Sequence, residues 1–340
     1  MIVIDGIIFS LQAQGGISVY FKTLIDYLVA SQERFSLMLD ESPREWGACS
    51  NNLICRQSAR FFERYRACRT PVQGSVFHSS YYRKSDAPNI NTVVTVHDFI
   101  YERFQRGPRK WVHSAQKKAA IRGAQAVICV SESTRQDLLE FVGETPGQEI
   151  FVIHNGVANV FSRLTLAPKS TPFLLYVGQR GGYKNFRLVL EAMSFLPEFE
   201  LHCVGGGAIH GWELAGVPDS VARRVRHLGF VTDEKLNILY NCALCLVYPS
   251  SCEGFGIPVV EAMRAGCPVV STACKAVLEI GGDALTVVYD LDPRAIADGI
   301  LKTMSSERAS LIQKGLNVAQ GFSWESTHCQ TLKVYRGLGA

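Results

Sequence analysis

With 340 residues, 47% of them hydrophobic and 19% charged, the chain is long enough for two globular domains with buried cores. Its longest apolar runs, such as Cys242 to Pro249 and Ile257 to Ala262, stop well short of the roughly 20 residues a membrane span needs. The eleven cysteines are odd in number and lack framework spacing, which favours a reducing compartment over a disulfide scaffold. No export signal is read at the N-terminus, so the expectation is a cytoplasmic protein.

In chain order, Ile2–Ile4 reads as a buried strand, and Gly15-Gly16-Ile17 leads into a helix from about Ser18 to Ala30. Further strands are expected at Phe35–Leu39, Ser75–His78, Thr92–Val96, Ala126–Val130 and Ile150–Ile153. After the fourth of these, Ser131 or Ser133 caps a helix running to Phe141. Leu164 to Pro172, rich in Pro, Thr and Ser, reads as a linker. The alternation then restarts with strand Phe173–Val177, helix Phe186–Phe195, strand Leu201–Val204 and the turn Gly205-Gly206-Gly207. Strands at Val225–Leu228, Leu244–Tyr248 and Val269–Ser271 follow. Two successive βα series predict an α/β protein of two Rossmann-like, doubly wound domains facing a cleft, with ligands at the carboxyl ends of the strands. The expected boundaries are 1–163 and 173–323, with a helix over about 324–340 packing back on the first domain.

Net charge is only +4, yet Arg56 to Arg122 holds fourteen Lys and Arg against four acids. Aromatics (Phe61, Phe62, Tyr65, Tyr81, Tyr82, Phe104, Trp111) interleave with this charge. Such a face suits an anionic membrane surface or a phosphate-bearing acceptor. No nucleic-acid partner is expected, because no reading motif accompanies the charge. The one Cys-x-x-Cys, Cys242 and Cys245, lacks a second pair or nearby histidines and is read as core packing.

The sharpest segment runs from Ser250 to Met263. It follows a strand, turns through Gly254 and Gly256, and enters a helix near Pro258. Backbone N–H groups at such a helix start are oriented donors for anions and sugar oxygens. Glu253 and Glu261 flank it, seven residues lying between them, and carboxylates hold polyols by accepting hydroxyl hydrogen bonds. Val259, Val260, Ala262 and Met263 crowd Glu261, and a buried acid needs a partner.

This segment resembles the Glu-x7-Glu motif of the retaining GT-B glycosyltransferases of family 4. The resemblance implies that Glu253 contacts the transferred sugar and Glu261 the ribose hydroxyls, with the Phe255, Gly256 and Ile257 backbone facing the sugar and diphosphate. Tyr176 to Asn185 is similar to the family's loop after the first strand of its second domain, Gly178 included. There Lys184 would neutralise the diphosphate. The family's usual arginine just before the lysine is replaced by Tyr183, and Arg180 is read as supplying the guanidinium instead. Gly15-Gly16-Ile17 resembles the first-domain glycine loop, which places Gly16 against the donor. His97-Asp98 resembles a His-Asp dipeptide whose histidine lies near the sugar, with Asp98 orienting it. Leu228 to Val231, with Phe230, resembles the strand whose backbone meets the base; His154 to Val157 resembles a hinge turn.

The resemblance implies a metal-independent hexosyltransferase that retains anomeric configuration and needs no cofactor, its nucleotide sugar being a substrate. Asp290-Leu291-Asp292 is read not as a metal motif but as a helix cap at Asp292. The Tyr-Lys-Asn loop with its upstream Arg180 resembles that of polysaccharide and O-antigen mannosyl- or rhamnosyltransferases, which implies GDP-mannose or a related GDP-sugar as donor, with UDP-glucose or a UDP-N-acetylhexosamine as the alternative. The expected acceptor is a glycan or polyprenol-diphosphate-linked glycan of polysaccharide or O-antigen synthesis, reached from the cytoplasm with peripheral contact to an anionic membrane. The alternatives are an epimerase or hydrolase of nucleotide sugars, and a non-catalytic partner subunit of the same fold.

Overall fold

The structure is a computed structural model describing residues 1–12, 15–40, 53–71, 74–165 and 171–340. It divides into two compact units, Met1–Gly156 with Trp324–Ala340, and Val157–Ser323.

The first unit holds seven strands: β1 (Ile2–Asp5), β2 (Phe35–Asp40), β3 (Leu53–Gln57), β4 (Val76–Ser79), β5 (Asn91–Val96), β6 (Ala126–Cys129) and β7 (Glu149–Val152). They pair in the order β3-β2-β1-β4-β5-β6-β7, every pair parallel. The second unit holds six: β8 (Phe173–Val177), β9 (Glu200–Val204), β10 (Val225–His227), β11 (Leu246–Tyr248), β12 (Val269–Thr272) and β13 (Leu285–Val288). Their order, β10-β9-β8-β11-β12-β13, is again wholly parallel. Parallel strands need crossover helices that cover both faces, so the strands read as apolar runs buried on both sides. β1, β6 and β12 are buried at every residue.

Both sheets reverse direction of travel beside their first strand, between β1 and β4 and between β8 and β11. Loops leaving two such strands diverge to opposite faces and open a crevice at the carboxyl ends. That crevice decides where the chemistry of each unit lies.

The helix Trp324–Gly337 belongs to the first unit because its buried face, Thr327, His328, Thr331, Leu332 and Tyr335, repeats at helical spacing. Leu332 and Tyr335 join a core of Ile2, Ile4, Phe21, Leu24, Leu37 and Val93. Its polar groups are satisfied inside: Tyr335 Oη hydrogen-bonds His78 Nδ1, and His78 Nε2 meets Thr95 Oγ1 at 2.8 Å. His328 Nε2 meets Thr23 Oγ1 at 2.9 Å. Burial, then the neighbouring His97 and His328, pushes His78 down to about 3, so it is neutral. Arg83 lies buried between Asp5 and Glu63 and ties the turn after β4 to β1.

Several local expectations are refined. Ser131 is the cap, its Oγ accepting from Thr134 N at 3.0 Å. Residues 157–163 pack with the second unit: Ser162 N donates to Asn237 Oδ1 and Arg264 Nη1 to the Val157 carbonyl. Residues 166–170 of the linker lie outside the described residues. Helix Phe186–Ala192 tightens into a 3₁₀ turn, Met193–Phe195. Cys242 and Cys245 are free, and burial pushes Cys245 up to about 12. No helix among the described residues is long and apolar enough to cross a membrane.

Candidate active site

In the second unit the two loops at the crevice are those leaving β8 and β11, and they are stitched together. Ser251 N donates to the Tyr183 carbonyl at 2.8 Å. Asn185 Nδ2 donates to the Pro249 carbonyl at 2.8 Å and to Ser251 Oγ at 2.6 Å. Asn185 itself is left-handed at φ 51°, a conformation asparagine tolerates better than most residues. These bonds bring Lys184 and Glu253 face to face, Nζ to Oε1 at 2.5 Å. Tyr248, at the end of β11, lies buried beside Glu253, and the ammonium lies 5.4 Å from the rings of both Tyr183 and Tyr248. A cation and an anion are thus held in one small polar cluster at the switch point.

Past Glu253 the chain enters helix Ile257–Arg264. Gly256 precedes it at φ 107°, and a Cβ there would sit 3.3 Å from Val277 Cγ2, so the turn requires glycine. Phe255 is buried and packs edge-on to Phe322, their ring centroids 5.6 Å apart; Ile257 begins the helix, with Pro258 beside it. One turn in, Glu261 accepts a 2.9 Å hydrogen bond at Oε2 from Tyr240 Oη. Burial pushes Glu261 up to about 7, with the Tyr240 bond opposing that rise and the Asp233 charge adding to it.

Arg180 does not stand free to replace the missing loop arginine. Its Nε donates to Glu213 Oε1 at 2.7 Å and its Nη1 to the Gly205 carbonyl at 2.9 Å. Its Nη2 is shared among the carbonyls of Gly206, Gly207 and Ala208 and Glu213 Oε2. Those carbonyls converge because Gly205, Gly206 and Gly207 are all left-handed, at φ 79°, 73° and 73°. A Cβ on Gly206 would lie 2.7 Å from Arg180 Nη1 and 2.9 Å from the Gly178 carbonyl. The guanidinium builds the glycine loop from within. Glu213 is held below the ordinary glutamate value: burial raises it, but the Arg180 bond, the His210 amide and the Arg180 charge together outweigh burial. Gly178 itself is left-handed at φ 126°. At the neighbouring strand end Gly229 accepts from Gly205 N at 2.9 Å, while the Phe230 side chain is exposed.

In the first unit Gly16 opens helix Gly16–Ala30, and His97 follows β5. His97 packs edge-on to Tyr20 at 5.2 Å, and its buried Nε2 has no hydrogen-bond partner among the described residues. Burial, then the Lys117 charge, pushes it down to about 3, so it is neutral. Buried Lys117 donates to the Asp98 carbonyl and to Glu102 Oε2, fixing the turn after His97. Asp98 Oδ1 accepts from Ile100 N at 3.0 Å. Asp292 Oδ1 accepts from Arg294 N and Ala295 N and so caps a helix. Among the described residues no group of three or more His, Cys, Asp or Glu is placed to hold a metal ion.

Sequence reasoning missed Tyr240, Tyr248, Glu213 and Lys117. The signal for Tyr240 was there: a tyrosine in an apolar helix needs a partner for its hydroxyl, and Glu261 needed one for its carboxylate. Replacing Arg180 by Met would strand Glu213 and four carbonyls, at a cost of about 3–5 kcal/mol. Chemical unfolding should therefore show the second unit strongly destabilised. Unchanged stability with weakened nucleotide binding would instead make Arg180 a direct ligand.

Two family models match the chain: Glycosyltransferase Family 4 over residues 14–159 and Glycosyl transferases group 1 over residues 161–318. The O-antigen chain mannosyltransferase B of Escherichia coli is 36% identical over 176 residues, 48% of this chain and 45% of that protein. The serotype-specific mannosyltransferase WbdA of Escherichia coli is 26% identical over 265 residues, 69% of this chain and 32% of that protein. The chain thus spans about half or less of the length of these two relatives. A solved sucrose-phosphate synthase from Thermosynechococcus elongatus superposes with a TM-score of 0.80 at 20% identity, covering 99% of this chain and 98% of its own. WaaG, a glycosyltransferase of lipopolysaccharide biosynthesis, superposes with a TM-score of 0.70 at 14% identity, covering 98% and 99%. Two parallel Rossmann-like sheets, the Glu253 to Glu261 turn and both family models agree: the chain belongs to the glycosyltransferases of family 4, built on the GT-B fold.

Proposed function

We propose that the protein is a hexosyltransferase whose second unit binds a nucleotide diphosphate sugar at the β8 and β11 loops. The observation that carries this reading is the meeting of Lys184 and Glu253 at the switch point. A leaving nucleoside diphosphate gains negative charge as the glycosidic bond breaks, and a preorganised ammonium at that place lowers the barrier. Glu253, steadied by Lys184, accepts hydroxyl bonds from the sugar, and Glu261 accepts those of the ribose. The amides of Phe255, Gly256 and Ile257 at the helix start face the diphosphate. Gly178 and the Phe230 backbone border the nucleotide within the second unit. Arg180 serves the same site indirectly, by shaping the glycine loop. His97, neutral and with an unpartnered buried Nε2, suits a hydrogen bond to a sugar hydroxyl.

Glu253 is bound to the Lys184 cation rather than poised as a nucleophile. This supports transfer on one face of the sugar with retention: the acceptor oxygen bonds to the anomeric carbon as the C–O bond to phosphate breaks. The acceptor's proton passes to the leaving phosphate. The reading carries no metal and no cofactor. The likeness to an O-antigen mannosyltransferase supports GDP-mannose as donor and a glycan or polyprenol-diphosphate-linked glycan as acceptor.

The first unit carries a face suited to meeting such an acceptor at an anionic bilayer on its cytoplasmic side. Phe61 and Trp111 are 79% and 75% exposed, and Phe62, Tyr65 and Phe104 are exposed as well. Gln116 Nε2 donates to the Arg64 carbonyl at 2.7 Å, tying the turn at 63–65 to the helix that carries Trp111. Basic residues beside exposed aromatics fit anionic headgroups, each charge contributing about 1 kcal/mol near the surface.

Glu253→Ala and Lys184→Ala are expected to lower sugar transfer at least a hundredfold with the melting temperature nearly kept. Chelator treatment should leave transfer unchanged. Near-normal turnover in both variants would sink the assignment. Vesicles containing anionic lipid should sediment the protein at low salt, neutral vesicles should not, and Phe61→Ser with Trp111→Ser should abolish sedimentation. Equal binding to both vesicle types would overturn the membrane assignment.

A further inference from the structure

Glu261 is set in its helix with one neighbour that does chemistry on it. Tyr240 is fully buried, 0% exposed, on helix Asp233–Cys242, and its ring packs edge-on to Phe161 with centroids 6.0 Å apart. The hydroxyl therefore has one orientation, and it donates to Glu261 Oε2 at 2.9 Å. Nothing in packing requires this oxygen, since a phenylalanine fills the same volume. A buried hydroxyl without a partner would be costly, and so would a half-buried carboxylate. Each answers the other's need.

The pairing matters for what Glu261 offers a ligand. An ionised carboxylate accepts at both oxygens; with Tyr240 on one lone pair of Oε2, the others remain for a vicinal diol. Protonated, the group loses its charge and one acceptor oxygen, so its hydrogen bonds to a diol are weaker. The titratable groups acting on Glu261 are Tyr240 and Asp233, both on helix Asp233–Cys242. Cys267 and Tyr248 act in turn on Tyr240. Burial and the Asp233 charge favour the protonated acid, and the Tyr240 bond favours the carboxylate. On its own helix Arg264 is spent on the Val157 carbonyl and Asn159 Oδ1.

We propose that Tyr240 is a positioning residue of the nucleotide site, its buried hydroxyl holding Glu261 as an acceptor so that binding of a ribose diol displaces a proton from that carboxyl to solvent. The inference rests on the reading of Glu261 as the ribose ligand. Its sign is fixed. A carboxyl raised to about 7 is ionised only above that pH, so nucleotide affinity falls as pH drops through 7 and levels off above it. Where only the carboxylate binds, the loss approaches about tenfold per pH unit below the midpoint.

The test is titration calorimetry of the whole chain from pH 5.5 to 8.5, in buffers of different ionisation enthalpy. The probes are GDP and 2′,3′-dideoxy-GDP, with the uridine pair run in parallel. Wild-type protein should bind the ribonucleotide with proton release below about pH 7, and the dideoxy analogue should bind more weakly with that release absent. Tyr240→Phe should move the midpoint upward by about one pH unit. An unmoved midpoint in a folded Tyr240→Phe, or equal proton release with the dideoxy analogue, would overturn the proposal. Should Tyr240→Phe fail to fold, fluorotyrosine incorporated in place of tyrosine, a stronger donor, should move the midpoint downward, and an unmoved midpoint would overturn the proposal. Absence of binding by either nucleotide pair would sink the ribose-site reading itself, and this inference with it.

Discussion

Every side chain discussed above takes its place from the way a parallel sheet is wound. A crossover between parallel strands is right-handed, so the chain must leave its first strand, build outward on one side, and return to build on the other. The strands on either side of that return, β8 and β11 in the second unit, send their loops to opposite faces of the sheet. Their carboxyl ends cannot be filled by a neighbouring loop, and a crevice opens. Lys184 and Glu253 are 69 residues apart in sequence yet paired at 2.5 Å because each lies shortly beyond one of those two strands. The same winding in the first unit brings the loops after β1 and β4 together.

Inside that constraint, two cations on one loop meet different fates. Arg180 and Lys184 both follow β8, and both look from sequence like charges for an anionic ligand. The guanidinium has five donors in a rigid plane, and three consecutive left-handed glycines supply carbonyls in the arc that plane needs. Arg180 is consumed by architecture. The ammonium of Lys184 is a point charge on a flexible stem, held by one carboxylate and two aromatic faces, and such a charge is easily re-partnered. Loop shape and reactive charge are thus divided between residues four apart.

Much of this was legible in the sequence, for physical reasons that differ by feature. Buried parallel strands carry near-continuous apolar runs, so β1, β6 and β8 stand out, as does the break near the linker. β3 carries Arg56 and Gln57, lies at an edge of the first sheet, and left no comparable signal; β13, at an edge of the second sheet, was overlooked despite its apolar run. The Glu253 to Glu261 segment was readable because its strand, turn and helix start all constrain residue type. Arg180 was misread because sequence shows a charge and not its partners. Glu213, 33 positions on, and the carbonyls of Gly205 to Ala208 are backbone and long-range facts. Tyr240 escaped for the same reason, as its partner lies 21 residues away on another helix.

The account stands on one claim, that the β8 and β11 loops hold the diphosphate and helix Ile257–Arg264 the ribose. A crystal structure of the protein with a bound nucleoside diphosphate tests it most directly. The account predicts phosphate oxygens within hydrogen-bond reach of Lys184 Nζ, ribose hydroxyls on Glu261, and Arg180 still enclosed by the glycine loop. A nucleotide seated elsewhere, or one on this crevice with its diphosphate on Arg180 and Lys184 still closed on Glu253, would contradict it.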